Sequence, residues 1–326
     1  MSNIKLGVIS HSYVAEWVDD KCTLEDMFRH IAELGCDGIE IVETSMFPHY
    51  PYVGDDYAGE IYRLSRTYGV KVVCVSANMD RGMRQDRNLT EREMLSHVIQ
   101  DMQNANQLEC PIVKSQFLIS PHVMQLAAPY AEYYGTKLTI EIHNPESPTS
   151  PIMTEYYNAF EECGSTWLGF VPDFGMLATK PNPAEIGRAL AAGARSEIID
   201  LATDLRYEDV GREAGRKALA EAGATPLEIN TFESMYGYMT FSREPDFAGM
   251  RKIMKYCPHM HGKFFDMNDD GEEATIPYAD ILKFLDNEGY DGYIVSEFEG
   301  QVTPEKSSFE QVRRHIRMEQ KILANL

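Results

Sequence analysis

Two periods of apolar residues take turns along this chain. Residues 137–143, KLTIEIH, alternate apolar and polar positions, the pattern of a strand with one buried face. Residues 23–35, TLEDMFRHIAELG, instead place Leu24, Met27, Phe28, Ile31 and Leu34 along one side of a 3.6-residue turn. Thr23, with Asp26 three positions on, is a natural N-cap for that helix, and Gly35 is a natural stop. Strands are predicted at 4–10, 37–43, 70–77, 111–117, 137–143, 167–174, 259–267 and 291–299. Helices are predicted at 23–35, 58–69, 90–109, 120–135, 152–164, 246–257, 278–289 and from about 305 to 322, with Pro129 a candidate kink.

Strands that alternate with helices predict βαβ units and a parallel sheet. Eight repeats in 326 residues predict a closed (β/α)8 TIM barrel, one α/β domain spanning 1–326. A doubly wound open sheet is the alternative. No G-x-G-x-x-G follows the first strand, where a dinucleotide fold carries it. Between the sixth and seventh strands the rhythm breaks. Residues 180–245 are predicted mostly helical, in stretches at 182–193, 205–223 and 226–241. This insertion is expected over one end of the barrel, as a lid or a partner-docking element. It carries Phe232, Met235, Tyr236, Tyr238, Met239 and Phe241, suited to a flat ligand, a partner or ordinary helix packing.

Composition narrows the function classes. The chain is 44% hydrophobic and 25% charged, ordinary for a globular protein. No apolar run reaches the ~18 residues of a membrane span, and MSNIKLGVIS lacks the basic head and apolar stretch of a secretory signal. A formal charge of −21 with no basic cluster argues against a nucleic-acid partner. The six cysteines, at 22, 36, 74, 110, 163 and 257, form no C-x-x-C and suit reduced thiols. A cytoplasmic protein is expected.

In a (β/α)8 barrel the chemistry gathers at the C-terminal ends of the strands. Those ends carry Glu141 and His143 on strand five, Asp173 on strand six, His259, His261 and Lys263 on strand seven, and Glu297 and Glu299 on strand eight. Alternation turns Glu141 and His143 to one face and Ile140 and Ile142 to the other. Each residue alone has a bland reading: a turn aspartate, a polar strand end, a solvated edge. Together they place acids and a histidine on four consecutive strands, at positions that a parallel barrel normally fills with apolar groups. Buried carboxylates without a cation or hydrogen-bond partner are too costly to be casual. Carboxylate and imidazole without thiolate suit Mn²⁺, Mg²⁺, Co²⁺ or Zn²⁺.

The series CDGIEI, TIEIH, VPDFG, HMHGKFFDM and GYDGYIVSEFEG resembles the xylose-isomerase-like barrels of the sugar phosphate isomerase/epimerase superfamily. The resemblance covers essentially the whole chain apart from the insertion. It implies that Glu141, Asp173, His261 and Glu297 hold one divalent metal. The chain departs from the pattern after Asp173, where FGM replaces a common histidine-bearing continuation. More narrowly, the stretch from HGKFFDM to VSEFEG, with the closing VRRHIRMEQKIL, resembles the α subunits of C-glycoside deglycosidases. That resemblance implies cleavage of the carbon–carbon bond between a 3-oxo sugar and an aromatic aglycone. It also implies a divalent metal, commonly Mn²⁺, a smaller separately encoded β subunit, and His143 as the base.

The implied reaction removes a proton beside a carbonyl, work for a base that titrates near neutrality. Glu297 is expected at the chemistry as well as among the ligands. Lys263, Asp266 and Glu299 are candidates for holding substrate. Lys263 and Asp266 are also candidates to brace His261, and Lys263 equally for a salt bridge inside the barrel. Glu299, His259 or the insertion could add a further acid or base. The polar loop 78–88 could meet sugar hydroxyls or simply be solvated. A partnerless sugar isomerase or epimerase, or a keto-sugar or keto-inositol dehydratase, is the alternative on the same scaffold. An apurinic endonuclease would need a basic face, and a non-catalytic sugar-binding barrel would tolerate loss of all four ligands.

Overall fold

A computed structural model of the chain describes residues 2–79, 81–116, 119–300 and 306–326. Positions 80, 117 and 305, at the edges of the expected loop, fourth strand and last helix, lie outside the described residues. Eight strands are found among the described residues: β1 (Lys5–Ile9), β2 (Gly38–Val42), β3 (Lys71–Ser76), β4 (Ile112–Ser115), β5 (Lys137–Ile142), β6 (Leu168–Pro172), β7 (His259–Phe264) and β8 (Tyr293–Phe298). They pair in the order β6-β5-β4-β3-β2-β1-β8-β7, every pair parallel. A parallel bridge between Asp173 and His261 brings the two outer strands together. The architecture is the (β/α)8 TIM barrel.

Helices return the chain between strands, and their ends follow from side chains. In Leu24–Glu33 and Glu91–Gln107, Thr23 and Thr90 each exchange capping bonds with the acid three residues on. Pro129 sits inside Pro121–Tyr134, which continues past it. Strand residues that point outward are wholly buried against these helices: Ile140, Ile142, Phe170 and Ile294 belong to the main core. Each such side chain contributes roughly 2 kcal/mol by burial. Inside the barrel the apolar contact is small, formed by Ile9, Val73 and Val295. Val73 is an extra residue in β3, where the pairing with β2 slips between Ile39 and Glu40. No helix among the described residues is long and apolar enough to cross a membrane.

The segment between β6 and β7 holds the helices Pro183–Ala191, Ser196–Tyr207, Arg212–Glu221 and Pro226–Ser234. The stretch expected as one helix over 205–223 holds the end of Ser196–Tyr207 and the whole of Arg212–Glu221. Asp209 and Gly211 take positive φ, 51° and 82°, which breaks the run in EDVGRE. The stretch 196–204, left unassigned by periodicity, is helical.

One buried pair sets a pH-dependent cost on this scaffold. Glu43, just after β2, and Asp101, on Glu91–Gln107, are both buried and interact. Burial raises both acids, Glu43 to about 7 despite bonds from the Asn78 backbone and the Asn104 side chain. An acid raised in the folded state holds a proton that the unfolded chain releases near pH 4.5. Its stabilising effect is therefore full below pH 4.5 and is lost as pH rises toward 7. Glu43→Gln is expected to gain stability over the natural chain by at least about 1 kcal/mol at pH 8. The gain should vanish near pH 4.5, as measured by thermal melts across that range; a pH-independent difference would contradict the assignment.

Candidate active site

The alternation that buries Ile140 and Ile142 outward turns Glu141 into the barrel, and β7 and β8 do the same with His259, His261, Lys263 and Glu297. Asp173 follows β6 directly, and its Oδ1 accepts a 2.6 Å bond from the Gly175 amide. A Cβ on Gly175 would come within 2.8 Å of the Lys263 side chain and of Asn144 Oδ1. Lys263 thus fills the space beside Gly175.

His261 lies at the centre of the cluster. Its Nδ1 is 3.0 Å from Glu141 Oε1 and 3.1 Å from Glu297 Oε2. Its Nε2 is 3.1 and 3.2 Å from the two oxygens of Glu40, a buried residue in the middle of β2. Glu40 also accepts from His259 Nε2 at 2.6 Å. Burial outweighs Glu40 and keeps His259 below the ordinary histidine range, so its ring is neutral. Lys114, from β4, donates to Glu141 Oε2 at 3.1 Å. Burial works against every charge here, yet Lys114 holds Glu141 well below the carboxylate range and His261 draws Glu297 down to about 2. His261 is held well above its ordinary value, burial being overcome by Glu40 and Glu297.

These residues fit a divalent cation. One donor atom each from Glu141, Asp173, His261 and Glu297 lie within 4.8 Å of one another, all buried. Glu40 accepts from His261 Nε2, so Nδ1 is the nitrogen that faces two carboxylate oxygens. Something positive must stand there, a proton or a metal ion. Three carboxylates and one imidazole form a hard, mixed donor set of the kind that binds Mn²⁺ or Zn²⁺. Glu40, Cys74 and His259 form a second buried group of possible donors, but Glu40 is already engaged by both histidines.

His143, 20% exposed at the side chain, stands at the edge of this cluster. Its Nδ1 lies 2.8 Å from the Asn144 carbonyl, which can only accept, so Nδ1 carries a proton. Lys263 Nζ lies 2.6 Å from Nε2. An ammonium can only donate, so Nε2 presents a lone pair and the ring is neutral. Lys263 also donates to Asp173 Oδ2 at 2.8 Å and lies 2.9 Å from Glu299 Oε2. A pocket of about 110 Å³ opens among Glu141, His143, Glu297 and Glu299, with His11, Ser76, Lys114 and Gln116 also in its lining.

Of the residues singled out in the sequence, the structure brings together Glu141, His143, Asp173, His261, Lys263, Glu297 and Glu299. Asp266 is elsewhere: it is half-exposed and paired with Lys306. The carboxylate against His261 is Glu40 instead. Sequence reasoning missed Glu40 and Lys114. The signal was available, since IEIV and IVKS each set one charged residue beside β-branched ones.

A barrel with a carboxylate–imidazole cluster at its mouth defines a class, and comparison with known proteins places the chain within it. Residues 28–318 match the xylose isomerase-like TIM barrel family model, and the chain belongs to that family. A C-glycoside deglycosidase α subunit of Microbacterium trichothecenolyticum is 30% identical over 90% of this chain and 83% of its own length. A 3'-dehydrocarminate deglycosidase α subunit of a Microbacterium species is 29% identical over 91% of this chain and 88% of its own. These relatives are enzymes, and the homology marks the chain as one. Among solved structures, 3-keto-D-glucoside 4-epimerase from E. coli superposes with a TM-score of 0.58 at 11% identity, covering 98% of this chain and 99% of that one. The IOLI protein with a bound zinc atom gives 0.57 at 13%, covering 98% and 97%. These likenesses concern the fold.

Lys263→Met would leave Asp173 and Glu299 without their ammonium. Removing one partner of a buried ion pair is expected to cost about 3 kcal/mol, measurable as a lower urea midpoint in metal-free protein. An unchanged midpoint would mean that these carboxylates do not depend on Lys263.

Proposed function

We propose that this chain is the α subunit of a C-glycoside deglycosidase, a metal-dependent carbon–carbon lyase acting on a 3-oxo-C-glycoside. The observation that carries the reading is His143, a neutral imidazole whose Nε2 is a proton acceptor beside four convergent metal donors. Relatives named deglycosidase α subunits over nine-tenths of the chain support the substrate class.

The ketone acidifies the hydrogen on the neighbouring C2, and His143 Nε2 takes that proton. To do so it exchanges its bond from Lys263 for one to the substrate, while Lys263 stays held by Asp173 and Glu299. The electron pair left at C2 forms the C1=C2 bond, and the C1–aryl bond breaks. The aryl carbon keeps that bonding pair and takes up one proton, so the products are an unsaturated 3-oxo sugar and the free aglycone. The proton on His143 is then released, to the departing aryl carbon or to solvent, which restores the base.

Glu141, Asp173, His261 and Glu297 would hold the divalent ion, Mn²⁺ by preference, with Mg²⁺, Co²⁺ or Zn²⁺ as substitutes. When bound, it supplies Lewis-acid polarisation of the substrate's oxo and hydroxyl oxygens. Glu40 fixes His261 in the tautomer that leaves Nδ1 free for ligation. Glu299 lines the pocket where sugar hydroxyls would lie. A smaller β subunit is the proposed partner. The same base and donor set would serve a ketose isomerase or epimerase, or a keto-sugar dehydratase, if no aryl group departs from C1.

Proton NMR in D₂O separates these readings. The samples are the Mn²⁺-loaded protein, alone and co-expressed with a candidate β subunit, with a 3-oxo-C-glucoside or a ketohexose. EDTA-sensitive release of the aglycone is expected; deuterium exchange confined to the ketohexose would favour the isomerase. His143→Ala should lower kcat by roughly 10³-fold or more with metal content unchanged. Loss of metal in that variant would make His143 a ligand rather than the base.

A further inference from the structure

The helical segment between β6 and β7 reaches the site at Tyr238. Tyr238 follows the helix Pro226–Ser234, and its backbone carbonyl accepts a 2.7 Å bond from Asn144 Nδ2, one residue past His143. Its ring lies 5.4 Å from the His143 ring, tilted by 30°. Lys263 Nζ lies 5.0 Å from the same ring centre, and Phe265 meets it edge-on at 6.1 Å. Tyr238 thus lies against both the proposed base and the lysine that hydrogen-bonds it. The residue keeps 42% of its surface exposed.

Tyr238 does not hang free on its loop. Arg206, from Ser196–Tyr207, donates to the Met235 carbonyl at 3.1 Å and to Thr240 Oγ1 at 3.0 Å, gripping both ends of the turn. Its guanidinium also lies 4.8 Å from the Tyr236 ring centre and 5.7 Å from that of Phe241. Arg212 donates to the Tyr236 carbonyl at 2.7 Å. The planar fork of an arginine holds such a turn more rigidly than packing alone.

We infer that Tyr238 is a positioning residue for His143, and that the helical segment serves to hold it there. The inference rests on the reading of His143 as the base. His143 lies just past the end of β5, so its ring plane is not set by the ladder. The Asn144 carbonyl fixes one nitrogen. The Tyr238 ring blocks rotation on one side, excludes water there, and draws Lys263 toward its face by cation–π attraction. A base that must meet a C–H bond in one geometry gains from that constraint. The bland alternative, that Tyr238 is a platform for the aromatic aglycone, predicts an effect on binding instead.

The test compares the full chain with Tyr238→Ala and Tyr238→Phe, each loaded with Mn²⁺ for turnover and metal-free for NMR. With histidine labelled at ¹³Cε1, the His143 signal is assigned by its absence in His143→Gln. In Tyr238→Ala that signal is expected to shift downfield as the ring current is lost, and in Tyr238→Phe to stay. In turnover, Tyr238→Ala should lower kcat on the order of tenfold or more at unchanged KM, with Tyr238→Phe restoring it. An unmoved His143 signal in Tyr238→Ala overturns the inference. So does a rise in KM that tracks the aromatic aglycone while kcat holds. The NMR readout needs no turnover, so failure of the lyase reading and failure of this one are told apart.

Discussion

Four carboxylates buried at one end of a barrel must find positive charge at the same depth, and the structure depends on how that demand is met. Glu40, Glu141, Asp173 and Glu297 are all buried where a parallel barrel normally packs aliphatic side chains. Lys114 and Lys263, both buried, answer Glu141 and Asp173. His261 stands between Glu40 on one nitrogen and Glu141 and Glu297 on the other. A group that satisfies three acids at once has one open requirement, a positive centre at Nδ1. The proposed metal is the group that would meet it.

The same constraint reaches the chemistry. Lys263 donates to Asp173, lies 2.9 Å from Glu299 Oε2, and meets His143 Nε2 at 2.6 Å. That one ammonium makes the imidazole a neutral acceptor. Charge balance in the barrel and the readiness of the proposed base are thus one arrangement. The segment between β6 and β7 adds the outer wall, with Tyr238 against His143 and Arg206 behind the turn that carries it.

Much of this was legible in the residues. Two apolar periods mark all eight strands and their return helices, because outward strand residues and inward helix residues share one core. Strand ends offered a longer list of acids and histidines, within which the family resemblance implied Glu141, Asp173, His261 and Glu297; the structure brings those four together, and their role as ligands is the proposal. Glu40 was not legible by the same rule. It lies in mid-strand, below the mouth, beside a bulge in β3 that no periodicity announces. Asp266 misled for the opposite reason: it lies past the end of β7, where the chain has left the ladder and alternation no longer sets direction. The break at Asp209 and Gly211 depends on backbone angles that a helical stripe continues straight across. The meeting of Tyr238 with His143 spans 95 positions of sequence and leaves no local trace.

The central claim is that the acidic cluster holds one divalent ion, and anomalous scattering tests it most directly. Crystals soaked in MnCl₂ and measured on the high-energy side of the manganese absorption edge are expected to show one peak, bounded by Glu141, Asp173, His261 and Glu297. His261 should ligate through Nδ1 while Nε2 keeps its bond to Glu40. An empty cluster, with manganese bound elsewhere or not at all, would contradict the account. His261 would then be a protonated structural imidazole among its acids.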